Sequence, residues 1–299
     1  MVVSRVQVCS VRSFVSGMTG GNHAGVCLNL NSAMPALTEK QMQHIAADVG
    51  YSETAFVSRS TCADFNLRFF TPTKEVDLCG HATIAAFHVL MQMGFLVPGP
   101  YNQETLSGIL GVELRSDGSV FMEQTLPQFF DEVPWERLAP LFGGVVGGYD
   151  LPARIVSTGL KDIMMPVQSL WALRRLNPDF DRIAELSRSL DVTGVHAFTL
   201  ETLHGSTAHC RNFGPAVGIP EESATGTSNG ALSAYLYRMG KLSSETLGRL
   251  SFEQGYFMQD PALVSSSTIM ASLNVTGREI TRVMVGGKAE IDDDQMVSF

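Results

Sequence analysis

Apolar positions along the chain recur at two periods. Over residues 81–93, Ile84, Phe87, His88 and Met91 return at helical spacing, and Gly94 follows as a stop. Over 227–239, Leu232, Tyr235, Leu236 and Met239 do the same ahead of Gly240. Two further helices are predicted over 38–49 and 179–190. Phe65-Asn66-Leu67-Arg68-Phe69 and Ala208-His209-Cys210-Arg211-Asn212-Phe213 read as strands, stopped by Pro72 and Pro215. Other strands are predicted near 25–30, 53–57, 112–123, 154–157 and 263–275.

These two series are copies of one pattern. Arg68, Phe70 and Pro72 precede Arg211, Phe213 and Pro215 by 143 residues, and Gly80 and Gly94 precede Gly226 and Gly240 by 146. Ala55-Phe56 and Ala197-Phe198 repeat at 142. Such drift is what loop insertions between two copies of a fold produce. The pattern predicts an α+β chain of two pseudo-symmetric lobes, each a sheet wrapped on a central helix. The N-terminal lobe is expected over 1–128 with a C-terminal strand from 281–299, and the second lobe over 129–280. The boundary falls in the Pro-containing stretch 126–134. A cleft between two equivalent lobes is the default place for a ligand.

Composition narrows the function classes. The 299 residues are 44% hydrophobic and 17% charged, a balance that suits folded lobes and not a membrane span. A net charge of -9 offers no basic face to nucleic acid or to an anionic membrane. Five scattered cysteines without a CxxC pair read as reduced thiols, and the N-terminus lacks the apolar core of a signal peptide, so a cytoplasmic protein is expected. None of the seven histidines lies in HExxH or at finger spacing from a cysteine, so no metal site is expected. His204 and His209 read as solvent-facing. The stretch Gly143-Gly144-Val145-Val146-Gly147-Gly148 lacks Walker and Rossmann spacing and reads as a flexible connection.

Gly80-His81 and Gly226-Thr227 are each a Gly-bearing turn that opens a helix. The first N–H groups of a helix lack internal partners and carry partial positive charge, and glycine permits close approach. Two such starts make a clamp suited to a small carboxylate. The titratable groups break the symmetry. His81 stands where the second copy has Thr227, Glu53 precedes Thr54-Ala55-Phe56 where Val195 precedes His196-Ala197-Phe198, and the second copy carries Glu221-Glu222. A site with one base and one acid needs such asymmetry. Buried, Glu53 would gain a raised pKa and suit proton transfer; paired with lysine or arginine, it would be a strand-end residue. At a helix start, His81 is biased toward the neutral form.

Four segments, Gly21-Asn22-His23-Ala24-Gly25-Val26, Ser52-Glu53-Thr54-Ala55-Phe56-Val57, Asp77-Leu78-Cys79-Gly80-His81-Ala82-Thr83 and Glu221-Glu222-Ser223-Ala224-Thr225-Gly226-Thr227, occur in that order. Together they resemble the phenazine biosynthesis PhzF-like family of the diaminopimelate epimerase-like superfamily, over nearly the whole chain. The resemblance implies mostly antiparallel lobes, a homodimer, and cofactor-free isomerisation or epimerisation of a small acid. Carried over by position, it implies Glu53, His81 and Glu222 as catalytic residues, and Asn22, His23, Gly80, Gly226 and Thr227 as substrate-binding. The chain departs from the family pattern at His23, where the family has proline, which implies a less rigid loop and lets His23 reach the cleft. It departs again at Glu222-Ser223, for Asp-Pro, and at Thr227, for serine. Related two-thiol racemases need a cysteine at each helix start; Cys79 holds the first position and Thr225 the second, so that mechanism is absent, and Cys79 reads as a packed small hydrophobe.

The resulting expectation is an isomerase in which Glu53 moves a carbon-bound proton while His81 and Glu222 position or relay. Two rivals stay open: a small-acid binding protein without turnover, and a lyase or hydrolase using the same base.

Overall fold

A computed structural model describes residues 5–17, 19–30, 36–144, 150–258 and 266–299. The chain divides into two compact units, residues 1–123 with 286–299, and residues 124–285. The first contains β1 (Arg5–Ser13), β2 (Asn22–Asn29), α1 (Glu39–Val49), β3 (Glu53–Arg59), β4 (Phe65–Phe70), β5 (Glu75–Val76), α2 (Gly80–Gln92), β6 (Gly99–Thr105), β7 (Gly108–Leu114) and β8 (Val120–Gln124). The last strand of the chain, Ala289–Ser298, pairs antiparallel with β1. The second unit contains β9 (Gln128–Glu132), α3 (Trp135–Leu138), β10 (Arg154–Ser157), β11 (Lys161–Pro166), α4 (Leu170–Arg174), α5 (Phe180–Leu190), β12 (Gly194–Thr199), β13 (Ala208–Gly214), β14 (Ile219–Glu222), α6 (Gly226–Arg238), β15 (Leu250–Gln254) and β16 (Ser267–Thr276).

The two units share one pairing scheme. In the first, β1–β2 is antiparallel, β2–β3 parallel, β3–β4 antiparallel, β4–β6 parallel and β6–β7 antiparallel. In the second, β10–β11, β11–β12, β12–β13, β13–β15 and β15–β16 repeat that alternation. Each parallel step is crossed by a helix, as the geometry of parallel strands requires. The helix α1 covers β2 to β3; its Thr38–Gln41 capping box and the left-handed Gly50 set its ends. Its counterpart α5 is capped by Asp179 and closed by a left-handed Asp191. Both bury one face only: Met42, Ile45 and Ala46 in α1, and Ile183, Ala184, Leu186 and Ser187 in α5. The helices α2 and α6 differ. Every residue from His81 to Leu90, and from Ser228 to Leu236, is buried. A helix buried all round is a central helix, which is why both segments read as apolar without a strong polar face.

Some sequence readings change in detail. The strand expected over 112–123 is a hairpin of β7 and β8, because Gly118 at φ +83° turns the chain and Arg115 N–H bonds Ser119 O at 2.9 Å. The stretch 126–134, read as a boundary, holds β9, which pairs with β10. His209, read as solvent-facing, is fully buried on β13, with Nδ1 2.6 Å from Glu253 Oε2 and its ring stacked on Phe257. A strand with paired neighbours on both sides leaves its inward residues no route to water. Residues 263–265 of the last predicted strand, 145–148 of the glycine-rich stretch and 1–4 of the N-terminus lie outside the described residues.

Sheet register also corrects the repeat. Arg68 pairs with Phe56 and Arg211 with Ala197, so the equivalence across β3 and β12 is one residue off the Ala-Phe match. The caps agree: β3 begins three residues after Gly50, and β12 three after Asp191. The counterpart of Glu53 is therefore Gly194 and not Val195. A Cβ at Gly194 would lie 2.0 Å from the carbonyl oxygen of Phe213, so no side chain fits there. The asymmetry of carboxylates is thus built into the backbone. Gly194→Ala is expected to cost about 2–4 kcal/mol through forced displacement of β13. Urea unfolding measures it, and a native midpoint would contradict the close packing.

Candidate active site

In the first unit, a tight turn after α1 delivers Ser52 and Glu53 to the start of β3, where Glu53 stands opposite Ala24 of β2. His81 is the second residue of α2. Its Nε2 lies 3.3 Å from Glu53 Oε2 and 3.3 Å from Ser52 Oγ. Its Nδ1 lies 3.4 Å from Cys79 Sγ, and Ser13 Oγ donates to its backbone carbonyl at 2.7 Å. The His81 side chain is 8% exposed and that of Glu53 19%. Burial pushes the imidazole below its usual pKa, while the Glu53 carboxylate opposes the shift. His81 is accordingly a neutral imidazole near pH 7, held against a carboxylate that still touches solvent. The partner of Glu53 is a histidine, not lysine or arginine.

Neither central helix is capped by its own N-cap side chain: Cys79 before α2 and Thr225 before α6 make no such bond. Threonine usually caps. Here the Thr225 hydroxyl donates instead to Glu222 Oε2 at 2.9 Å and accepts from Gln254 Nε2 at 3.0 Å. Gln254, fully buried, also donates to the Glu222 carbonyl and accepts from Asn229 Nδ2 at 3.0 Å. Glu222 is thereby fixed beside the start of α6. Gly226 and Thr227 are half-buried in its first turn, and Thr158 Oγ1 donates to the Thr227 carbonyl.

The neighbouring Glu221 has a different task. It takes a bidentate bond from Arg211, at 2.8 and 2.9 Å, as Glu75 does from Arg68, at 2.6 Å twice. The spacing from Glu75 to Glu221 is 146, the same as from Gly80 to Gly226. This pair is a repeated structural bolt. Arg211 is fully buried and also donates to the carbonyls of Leu173 and Leu176, so removing Glu221 would strand a charge at about 3–5 kcal/mol.

Asn22 and His23 lie in β2, not in a loop, paired with Ser13 and Arg12 of β1. The His23 ring is half-exposed, stacked on Tyr51 at 5.3 Å, with Nε2 3.5 Å from Asp292. The His23 backbone hydrogen-bonds the His81 side chain, while charge on the His23 ring opposes protonation of His81. Ladder bonds to β1 do the stiffening that proline would have done.

Several residues escaped the sequence reading. Ser52 opens one of the four segments but carries no role there, and Gln254 lies beyond them with no distinctive spacing. Asp162 of β11 stands opposite Gly194, almost fully buried, and accepts from Ser228 Oγ at 2.5 Å. Asn212 joins Ser228 to His196 at 3.1 Å on each side. Cys79, read as packing alone, touches His81. Among the described residues one group of three donors has metal-binding proximity: Glu53, Cys79 and His81, within 4.8 Å of one another. Sequence spacing could not show it, because Glu53 comes from a different element.

The chain matches the family model described as phenazine biosynthesis-like protein over residues 11–293. It is 36% identical over 265 residues to an uncharacterized isomerase of Bacillus subtilis, covering 85% of this chain and 87% of that protein. The crystal structure of a phenazine biosynthesis protein of the PhzF family from Bacillus anthracis matches with TM-score 0.83 at 28% identity, covering 98% of this chain and 99% of that one. A hydroxyproline epimerase from Agrobacterium vitis shares the fold at TM-score 0.58 and 12% identity, covering 99% and 93%. The fold class is therefore α+β, of the kind shared by PhzF-family proteins and that epimerase, and the chain is an enzyme of the isomerase class. It belongs to the phenazine biosynthesis-like family. No helix among the described residues is long and apolar enough to cross a membrane.

Burial pushes the Asp162 carboxyl from 3.8 up to about 6, with bonds from Ser228 and the Gly194 N–H working against the rise. Between those values the folded chain keeps a proton that the unfolded chain has released. Stability therefore falls as pH rises from about 4 to about 6, and stays lower above that. Asp162→Asn carries no such proton. Relative to the native chain, its unfolding free energy should rise by about 1–3 kcal/mol between pH 4 and pH 7. Urea unfolding at several pH values tests this; two parallel pH profiles would contradict it.

Proposed function

We propose that the enzyme moves a carbon-bound proton on a small carboxylate-bearing substrate by general acid–base catalysis. Glu53 is the base. Its carboxylate stays partly open to solvent and so to a ligand, while a buried neutral imidazole contacts it from behind. That contact carries the reading. As the carboxylate takes the substrate proton, the His81 imidazole is within reach to relay it. Glu222, oriented by Thr225 and Gln254, positions the substrate or acts as the acid. The uncapped first turns at Gly80 and at Gly226-Thr227 supply N–H donors for the carboxylate, with Asn22 and the His23 backbone as further binding elements. This chemistry needs a base, an acid and a carboxylate cradle, which side chains and backbone provide without a cofactor. A small-molecule partner, a cytoplasmic setting and a homodimer belong to the same reading.

The test is proton exchange. A panel of small carboxylic acids bearing an acidic C–H is incubated with the chain in deuterated water and followed by mass spectrometry and NMR. The native chain should place deuterium in one of them with no other change of composition. Glu53→Gln keeps the size and removes the proton carrier, so exchange should fall by about 10²–10⁴-fold. Exchange at the native rate in that variant would overturn the assignment.

A further inference from the structure

The side chains assigned to proton transfer carry a second chemistry. His81 Nε2 stands 3.3 Å from Glu53 Oε2 and 4.0 Å from Cys79 Sγ, within a group whose donors are all closer than 4.8 Å. A tetrahedral zinc ion bonds sulfur at about 2.3 Å and nitrogen or oxygen at about 2.0–2.2 Å, which sets its ligands roughly 3.3–3.7 Å apart. The nitrogen–oxygen edge already has that length. The sulfur stands nearer to Nδ1, at 3.4 Å, so a rotation of the Cys79 side chain must bring it to the Nε2 side, closing on Nε2 by a few tenths of an ångström and on the carboxylate by up to about 1 Å. Thiolate, imidazole and carboxylate form a donor set that selects zinc and its neighbours over magnesium or calcium. Two anionic donors neutralise the dication, which offsets the cost of placing it against a largely buried histidine and cysteine. The exposed side of Glu53 gives an ion a way in and leaves the fourth position to water.

We propose that Glu53, Cys79 and His81 form a tridentate site for Zn²⁺ or a chemically similar divalent ion, and that the bound ion switches the isomerase off by occupying its base. The inhibition rests on the reading of Glu53 as base; the binding rests on geometry alone. On binding, the Cys79 thiol gives its proton to solvent and His81 enters as the neutral imidazole, so affinity rises with pH.

The full chain, stripped with EDTA, is titrated with zinc chloride against a chromogenic chelator, and in parallel with Co²⁺, whose thiolate charge-transfer absorption reports sulfur ligation. One ion per chain and the thiolate absorption are expected. Cys79→Ser and His81→Ala should each lower zinc affinity by more than about 100-fold, and Glu53→Gln serves as a further ligand variant should either fail to fold. Cys62→Ser, altering the exposed cysteine, should bind as the native chain does. In the deuterium assay, zinc should suppress exchange by the stripped chain and EDTA should restore it. Absence of stoichiometric binding, or native affinity in Cys79→Ser, would overturn the site. Zinc binding without any exchange by the stripped chain would keep the site and reject Glu53 as base; exchange without zinc binding would do the reverse.

Discussion

The contact between the Glu53 carboxylate and the His81 imidazole is the constraint on which the functional account turns. A carboxylate and an imidazole 3.3 Å apart can share or exchange a proton at little cost, provided that neither is locked in one charge state. Burial favours the neutral form of His81, and residual exposure lets the Glu53 side chain meet a ligand. Both conditions come from where the backbone puts them: one at the first residue of a strand, the other in the uncapped first turn of a helix buried all round.

The scaffold that holds this contact is duplicated, and the duplication shows which features are architecture and which are chemistry. The alternation of parallel and antiparallel pairings, the crossover helices with their left-handed closing residues, and the Arg68–Glu75 and Arg211–Glu221 bolts all occur twice. The proton-carrying groups do not. Gly194 stands at the Glu53 position with no room for a side chain, and Thr227 stands at the His81 position. In the second unit the acidic groups sit elsewhere, with Glu222 tied to Thr225 and Asp162 buried under Ser228. A symmetric fold thus carries an asymmetric set of acids and bases, which is what directed proton transfer requires.

Much of this was legible in the sequence, because repeats and helix periods survive as spacing. The starts of α2 and α6 and the α+β class follow from residues at fixed offsets, and the association of Glu53 with the Gly80-His81 turn follows from the resemblance carried by the four segments. What stayed hidden depends on register and on side chains from distant elements. The one-residue shift that makes Gly194 the partner of Glu53 appears only in hydrogen-bonded ladders. The separate duties of Glu221 and Glu222 depend on which one Arg211 reaches. His209 looks polar in context because its burial comes from strands far along the chain. Cys79 looks like filler until the third dimension brings it to His81.

The most direct measurement of the central contact is a histidine NMR titration of His81 in the native chain and in Glu53→Gln. A buried imidazole held against a carboxylate should titrate below the ordinary 6.5, and lower still when that charge is removed. A His81 that titrates at its ordinary value, or that ignores the loss of the Glu53 charge, would contradict the account.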